Sequence, residues 1–193
     1  MNGLPDESSP YALVSSHIKS VLPFHGNVIE CGVWRGGTTL RIAMEFGDEL
    51  RKEGKKLYGC DTFGATHPAL CMDGSSDIHI DARPVDLVVK LYEEKLLDFV
   101  QLVFGHVEVT LDAFLSKEKF SFAWLDVDSY HGTMFAAKWL KDRMVPGGII
   151  GFHDYHASWS SNTVDAAVDR SIGSDDSFSI IDEREISVFF RKK

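Results

Sequence analysis

The spacing of apolar and polar residues alternates between two periods along the chain. Residues 8–22 carry a helical stripe behind Ser9-Pro10, a capping residue followed by a proline suited to a first turn. A short apolar run at 27–31 stops at a glycine and reads as a strand. Residues 37–51 return to helical spacing and close near Gly54, and 56–60 read as a second strand ending at Asp61. Further helices are expected at 85–97, 111–115, 133–143 and 163–172, with strands at 100–104, 120–125 and 149–152. Pro146-Gly147-Gly148 reads as the stop and turn between the last of those strands and the helix before it. Two final strands, 177–181 and 186–191, are expected to join across Asp182-Glu183-Arg184. Residues 62–84 show no period and are rich in Gly, Ser, Asp and His, so they are expected to form either a lid or a loose loop.

Strand and helix thus alternate five times before a hairpin ends the chain. Each parallel return needs a crossover helix, so the expected fold is α/β: a doubly wound, mostly parallel sheet of seven strands with a C-terminal antiparallel hairpin. A length of 193 residues suits one domain, 1–193, with residues 1–25 as a helical extension. In such sheets ligands bind beyond the carboxyl ends of the strands, where strand order reverses.

Composition narrows the partners. Lys+Arg 20 against Asp+Glu 29 leaves a formal charge of −9, which opposes a phosphate backbone as partner. No apolar run is long enough to span a bilayer, and residues 1–10 are polar and acidic, unlike a secretory signal. Three cysteines, Cys31, Cys60 and Cys71, form no Cys-x-x-Cys pair; buried reduced thiols and a cytoplasmic location are the expectation. No nucleic acid, no membrane and a small-molecule acceptor are therefore expected, with a homodimer as the usual prior.

The chemistry gathers at the strand ends. The first strand runs into Glu30-Cys-Gly32-Val-Trp34-Arg-Gly36-Gly37-Thr38-Thr39. Gly32 lets the backbone turn sharply and a ligand approach, although a plain strand-to-helix turn uses glycine in the same way. A dinucleotide site would need a second glycine where Trp34 stands, and Trp34 is expected to fill the space of a pyrophosphate. Asp61 lies further on than a nicotinamide site expects, and can take ribose hydroxyls or simply cap a turn before Thr62. Gly105-His106 ends the third strand where an adenine edge would lie, though a lone histidine is more often structural. The fourth strand delivers Asp126-Val-Asp-Ser-Tyr-His and the fifth His153-Asp154-Tyr-His to the same rim. Carboxylates and imidazoles abutting apolar strands are partly desolvated, which shifts their pKa values as catalytic groups require.

Glu30-Cys-Gly-Val-Trp-Arg-Gly-Gly-Thr, Tyr58-Gly-Cys-Asp-Thr-Phe-Gly, Leu125-Asp-Val-Asp-Ser-Tyr and Pro146-Gly-Gly-Ile-Ile-Gly-Phe-His-Asp-Tyr, in that order, resemble the class I S-adenosylmethionine-dependent methyltransferases. The likeness is to the macrocin O-methyltransferase (TylF-like) group and the related Methyltransferase 24 group, over residues 26–170. It implies a Rossmann-like sheet and S-adenosylmethionine as cofactor. It also implies that Glu30, Gly32 and Gly36 line the methionine end, with Trp34 and Thr38 among the other cofactor-binding residues. Asp61 and Thr62 would then bind ribose, and Gly105, His106 and Val107 would lie near adenine, with Asp126 beside the cofactor. In macrocin-type and catechol-type enzymes the acids ending strands four and five hold Mg²⁺, which places that ion here on Asp126, His153 and Asp154. The sequence departs at His153, where those enzymes carry a carboxylate; Mg²⁺ prefers oxygen ligands, so the substitution weakens the expectation of a metal.

The leading expectation is methyl transfer to a hydroxyl of a sugar, phenol or other natural product. His153 is the expected general base, with Asp154 or Asp126 orienting it, or alternatively Asp126 and Asp154 hold a divalent ion that acidifies the hydroxyl. A non-catalytic S-adenosylmethionine-binding or assembly module with the same fold is the alternative. A nicotinamide-dependent oxidoreductase, the third reading, is disfavoured by Trp34. The enzymatic reading requires Glu30, Asp61, Asp126 and His153 to meet around one crevice.

Overall fold

A computed structural model describes residues 10–64 and 83–193. The segment expected to be a lid lies almost wholly outside the described residues, as do Ser8, Ser9 and Cys71. The chain builds a seven-stranded sheet in the order β3-β2-β1-β4-β5-β7-β6. Its strands are β1 (Asn27–Cys31), β2 (Leu57–Asp61), β3 (Val100–Phe104), β4 (Phe120–Leu125), β5 (Met144–His153), β6 (Phe178–Arg184) and β7 (Ser187–Lys192). The helices are α1 (Pro10–Val21), α2 (Gly37–Lys52), α3 (Pro84–Glu93), α4 (Val107–Leu115), α5 (Tyr130–Lys141) and α6 (Val164–Ser171). Strands β1 to β5 pair in parallel, and β7 lies antiparallel between β5 and β6.

The apolar runs of the central strands explain this arrangement. A parallel strand is covered on both faces and reads as a continuous apolar run, and every residue of β4 is buried. Two hydrophobic clusters follow, one on each side of the sheet. One contains Ile29, Ala123, Ile150 and Val188 with α4, α5 and α6; the other contains Val28, Trp124, Ile149 and Phe189 with α1, α2 and α3. Cys31 and Cys60, paired in register on β1 and β2, are free and buried as expected. Among the described residues no helix is long and apolar enough to cross a membrane.

Several boundaries differ from the sequence reading: α3 ends at Glu93 and not at 97, α4 starts at Val107 and not at 111, α5 spans Tyr130–Lys141 and not 133–143, β5 starts at Met144 and not at 149, and two expected turns move. Pro146-Gly147-Gly148 does not end an element; it is a bulge inside β5, between the pairs Phe120↔Met144 and Phe122↔Ile149. Proline lacks a ladder donor and Gly147 sits at φ +79°, so the extra residues loop out while the strand continues. The closing hairpin does not turn at Asp182-Glu183-Arg184, which belong to β6. It turns at Glu185-Ile186, with Glu185 at φ 55° and Arg184 facing Ser187. A glutamate–isoleucine pair carries no turn signature, so the polar triplet before it drew the boundary early.

Candidate active site

Sheet register assembles the site. Cys31 pairs with Cys60 and with Leu125, and Leu125 pairs with Phe152. The next residues along these parallel strands, Asp61, Gly32, Asp126 and His153, therefore stand in one row at the carboxyl rim. The ladder continues to that row: Gly32 N–H donates to the Cys60 carbonyl at 2.9 Å, Asp126 N–H to Cys31 at 2.8 Å and Gly105 N–H to Asp61 at 2.8 Å. Strand order reverses between the parallel neighbours β1 and β4, the crevice where α/β sheets bind ligands. Glu30 and Asp126 flank it.

The loop from Gly32 to Gly36 is shaped by close packing. Gly32 adopts φ +92°, and a Cβ there would stand 1.8 Å from the Asp126 carbonyl oxygen. Gly36 adopts φ +82°, where a Cβ would run into the Leu87 side chain. Both glycines are thus required by neighbouring protein atoms, where the sequence reading had Gly32 clearing room for a ligand. Trp34, at φ 48°, does not plug the loop either: it is 41% exposed, with the Arg35 guanidinium 4.8 Å from its ring centroid. The expectation that its bulk excludes a pyrophosphate is not supported by that placement.

Asp61 pins this loop. Its Oδ2 accepts from the backbone N–H of Val33 at 2.6 Å and of Trp34 at 2.7 Å, and its Oδ1 accepts from Phe63 N–H at 2.6 Å. Three of roughly four lone-pair positions on the carboxylate are occupied by backbone, which leaves about one for a ribose hydroxyl. Thr62 follows it, half-buried, and Phe63 lies with its ring centroid 4.8 Å from that of the exposed Phe104. His106 caps α4 with its carbonyl, accepting from Val109 N–H, Thr110 N–H and the Thr110 hydroxyl, and Val107 is buried beneath it. Gly105, His106 and the Phe63–Phe104 pair therefore form the β2/β3 side of the rim.

Glu30 is 2% exposed. It accepts hydrogen bonds from the Thr39 hydroxyl and the Thr39 backbone N–H, but burial outweighs both. With the charges of Asp126 and Asp61 added, its carboxyl is pushed up to about 8. Above it, α2 begins at Gly36 with no side chain capping its N-terminus, half-buried Thr38 lies in its first turn, and a Cβ on Gly37 would meet only open space. An uncapped helix start attracts a carboxylate and a buried acid attracts a cation. The two together suit the methionyl group of S-adenosylmethionine, a carboxylate beside an ammonium and a sulfonium.

On the β4/β5 side, His153 Nδ1 lies 3.3 Å from Asp126 Oδ1 and 3.1 Å from Asp154 Oδ1. One donor atom from each of the three residues falls within 4.8 Å of the others. Burial pulls the imidazole down, but the adjoining carboxylates of Asp126 and Asp154 outweigh it and push His153 up to about 10. An imidazole held protonated at neutral pH cannot accept a proton, which works against His153 as general base. Asp128, which the sequence reading left without a role, joins the group. Burial, the charges of Asp126 and Asp154, and a hydrogen bond with Asp154 push it up to about 7, against a smaller opposing pull from His153. The Asp126-Val-Asp128 spacing was its visible signal. Asp128 and Asp154 both sit in the left-handed region, at φ 56° and 60°, a conformation that concentrates at functional sites. Thr39 and Ser187 were missed as well, because only tertiary pairing brings them to Glu30 and His153.

A family model described as a methyltransferase domain matches residues 29–155, from β1 to just past β5. No curated protein matches the chain. Solved structures resemble it in fold. The calicheamicin methyltransferase CalS11 superimposes with a TM-score of 0.78 at 19% identity, covering 94% of this chain and 77% of its own. The O-methyltransferase NovP gives 0.75 at 16%, covering 94% and 78%. A Streptococcus mutans protein solved in complex with S-adenosylhomocysteine gives 0.65 at 16%, covering 96% and 98%. With the sheet order, the switch-point acids and a model match across two thirds of its length, the chain belongs to the methyltransferase-domain family, Methyltransferase 24, of class I fold.

Proposed function

We propose that the protein transfers the methyl group of S-adenosylmethionine to a hydroxyl of a small molecule. The carrying observation is that Glu30, Asp126, His153 and Asp154 meet at the switch point between β1, β4 and β5. S-adenosylmethionine supplies a methyl group already activated as a sulfonium, so the protein's task is to bind, orient and remove a proton. Glu30 and the start of α2 hold the methionyl end. Asp61 offers its remaining lone pair to ribose, and Gly105, His106 and the Phe63–Phe104 pair border the adenine. His153 neutralises and positions Asp126 and Asp154, whose oxygens face the acceptor hydroxyl. A divalent ion on Asp126, His153 and Asp154 would acidify that hydroxyl.

A sugar acceptor draws on the likeness in fold to CalS11, described as a TDP-rhamnose 3′-O-methyltransferase, and transfer to oxygen on that to NovP, an O-methyltransferase; the TylF-like assignment draws on the sequence motifs alone. The net charge of −9 favours a small acceptor over nucleic acid. Calorimetry with S-adenosylhomocysteine, alongside transfer of labelled methyl from S-adenosylmethionine to a panel of sugars and phenols, tests the reading. Saturable one-site binding with label in an alkali-stable ether is expected. Binding without transfer to any acceptor would favour a non-catalytic module, and no binding would overturn the proposal.

A further inference from the structure

The geometry points to a transition-metal site at Asp126, His153 and Asp154, one that selects an iron-to-zinc dication over Mg²⁺. Asp126 and His153 are rim neighbours by register, because Leu125 pairs with Phe152. In an extended strand the next side chain would point to the opposite face. The left-handed backbone of Asp154, φ 60°, breaks that alternation, and its Oδ1 lies 3.1 Å from the same imidazole nitrogen.

His153 Nδ1 is sealed from solvent, yet no hydrogen bond of acceptable direction reaches it from the described residues. It nevertheless stands 3.3 Å from Asp126 Oδ1 and 3.1 Å from Asp154 Oδ1. Ligand atoms bound about 2.1 Å from one ion, at right angles, stand about 3.0 Å apart. Nδ1 thus stands from each carboxylate oxygen at the spacing of neighbouring corners of a coordination sphere, and the three donor atoms lie within 4.8 Å of one another. A second orphan supports this. Ser187, 1% exposed and paired with His153 across the β5–β7 ladder, has a buried Oγ with no partner among the described residues. Its Oγ makes no hydrogen bond to the imidazole, so it stands as a second unpartnered polar atom on the strand beside His153.

The donor set decides the ion. Mg²⁺ demands oxygen ligands and gives up water reluctantly. Imidazole adds affinity along the series that rises from Fe²⁺ through Co²⁺ and Ni²⁺, with Zn²⁺ close behind. One nitrogen with two carboxylate oxygens therefore favours those ions. Aromatic packing fixes the nitrogen in place: Trp124 meets the His153 ring edge-on at 5.7 Å and stacks on Phe189 at 5.5 Å.

The inference rests on the methyltransferase reading only for what the ion would do there. The test is binding of Co²⁺, Zn²⁺ and Mg²⁺ to the full chain by calorimetry, with proton NMR of the Co²⁺ form. Zn²⁺ and Co²⁺ are expected to bind at least ~100-fold more tightly than Mg²⁺. One exchangeable imidazole proton should be strongly shifted by Co²⁺. In His153→Asp that resonance disappears, Co²⁺ affinity falls at least ~10-fold and Mg²⁺ affinity rises. Equal affinity for Zn²⁺ and Mg²⁺, a shifted resonance that survives in His153→Asp, or no binding of any ion would overturn it. Should His153→Asp not fold, the affinity ratio and the Co²⁺ spectrum of the unaltered chain still decide. Affinity for S-adenosylhomocysteine, measured on the same sample, separates failure of this inference from failure of the methyltransferase reading.

Discussion

Glu30 offers the sharpest quantitative prediction. The folded chain holds this carboxyl at about 8, while the unfolded chain holds it at the ordinary 4.5. Between those values the folded state keeps a proton that the unfolded state has lost, so stability falls as pH rises. The slope is about 1.4 kcal/mol per pH unit, and the loss reaches about 3 kcal/mol at pH 7 and about 5 kcal/mol by pH 9. Below pH 4.5 the contribution is flat, because both states are protonated there.

Glu30→Gln removes the ionisation and keeps an oxygen for the two donors on Thr39. It also introduces an amide N–H with no assigned acceptor, a constant cost of about 1–3 kcal/mol at every pH. The diagnostic quantity is therefore the pH slope of the difference between the two proteins, not its value at one pH. Urea unfolding from pH 5 to 9, followed by fluorescence, measures it; urea is uncharged and does not screen the site. The variant should gain on the parent by about 3 kcal/mol or more between pH 5 and pH 8. Parallel curves over that range would refute the reasoning, since they would mean that Glu30 titrates alike in both states. The same substitution is expected to weaken S-adenosylmethionine binding, because the carboxyl that a bound sulfonium and ammonium would draw into its anionic form is gone.

Two glycines give further tests. Gly32→Ala sets a Cβ 1.8 Å from the Asp126 carbonyl oxygen at φ +92°, and should cost about 4 kcal/mol or more, enough to abolish the folded state in a thermal melt; a melt within a degree or two of the parent would refute the close approach. Gly151→Ala places a Cβ 2.5 Å from the Phe189 ring and 2.8 Å from the Trp124 ring, and overpacking of this kind costs about 1–3 kcal/mol, a fall of roughly 2–10 °C in the melting temperature with a changed near-ultraviolet circular dichroism spectrum. An unchanged melt would place the aromatic stack elsewhere.

The fold was legible because β1, β3 and β4 are apolar runs bounded by glycine or charge, and their limits were read to the residue. Central parallel strands such as β1 and β4, buried on both faces, leave that signature whatever they pack against, while β3 at the sheet edge is only partly buried. The strand order was legible only as a class: alternation demands crossovers, and crossovers demand that function lie at one rim. Boundaries failed where a local signal and the tertiary role disagree. Pro146-Gly147-Gly148 has the composition of a turn, yet β4 and β7 on either side hold β5 in extended form through the bulge. Glu185-Ile186 has no turn composition, yet a two-residue reversal is forced on it once Arg184 and Ser187 are paired.

The site divides in the same way. Residue types that do chemistry were visible at strand ends, since each strand end is a position in sequence. What they do depends on whom they face, which register decides. Gly32 and Asp126 stand 94 positions apart, and nothing in either neighbourhood says that a carbonyl occupies the space a side chain would need. Asp61 looked like a ligand for ribose, and three backbone amides now take most of its capacity. His153 looked like a base because histidine titrates near neutrality, but two carboxylates within 3.3 Å hold it as a cation. In the proposed methyl transfer, an imidazole held as a cation would leave removal of the acceptor's proton to the acids beside His153, or to an ion in its stead. His153 in this cluster would then set which cation, proton or metal, completes it.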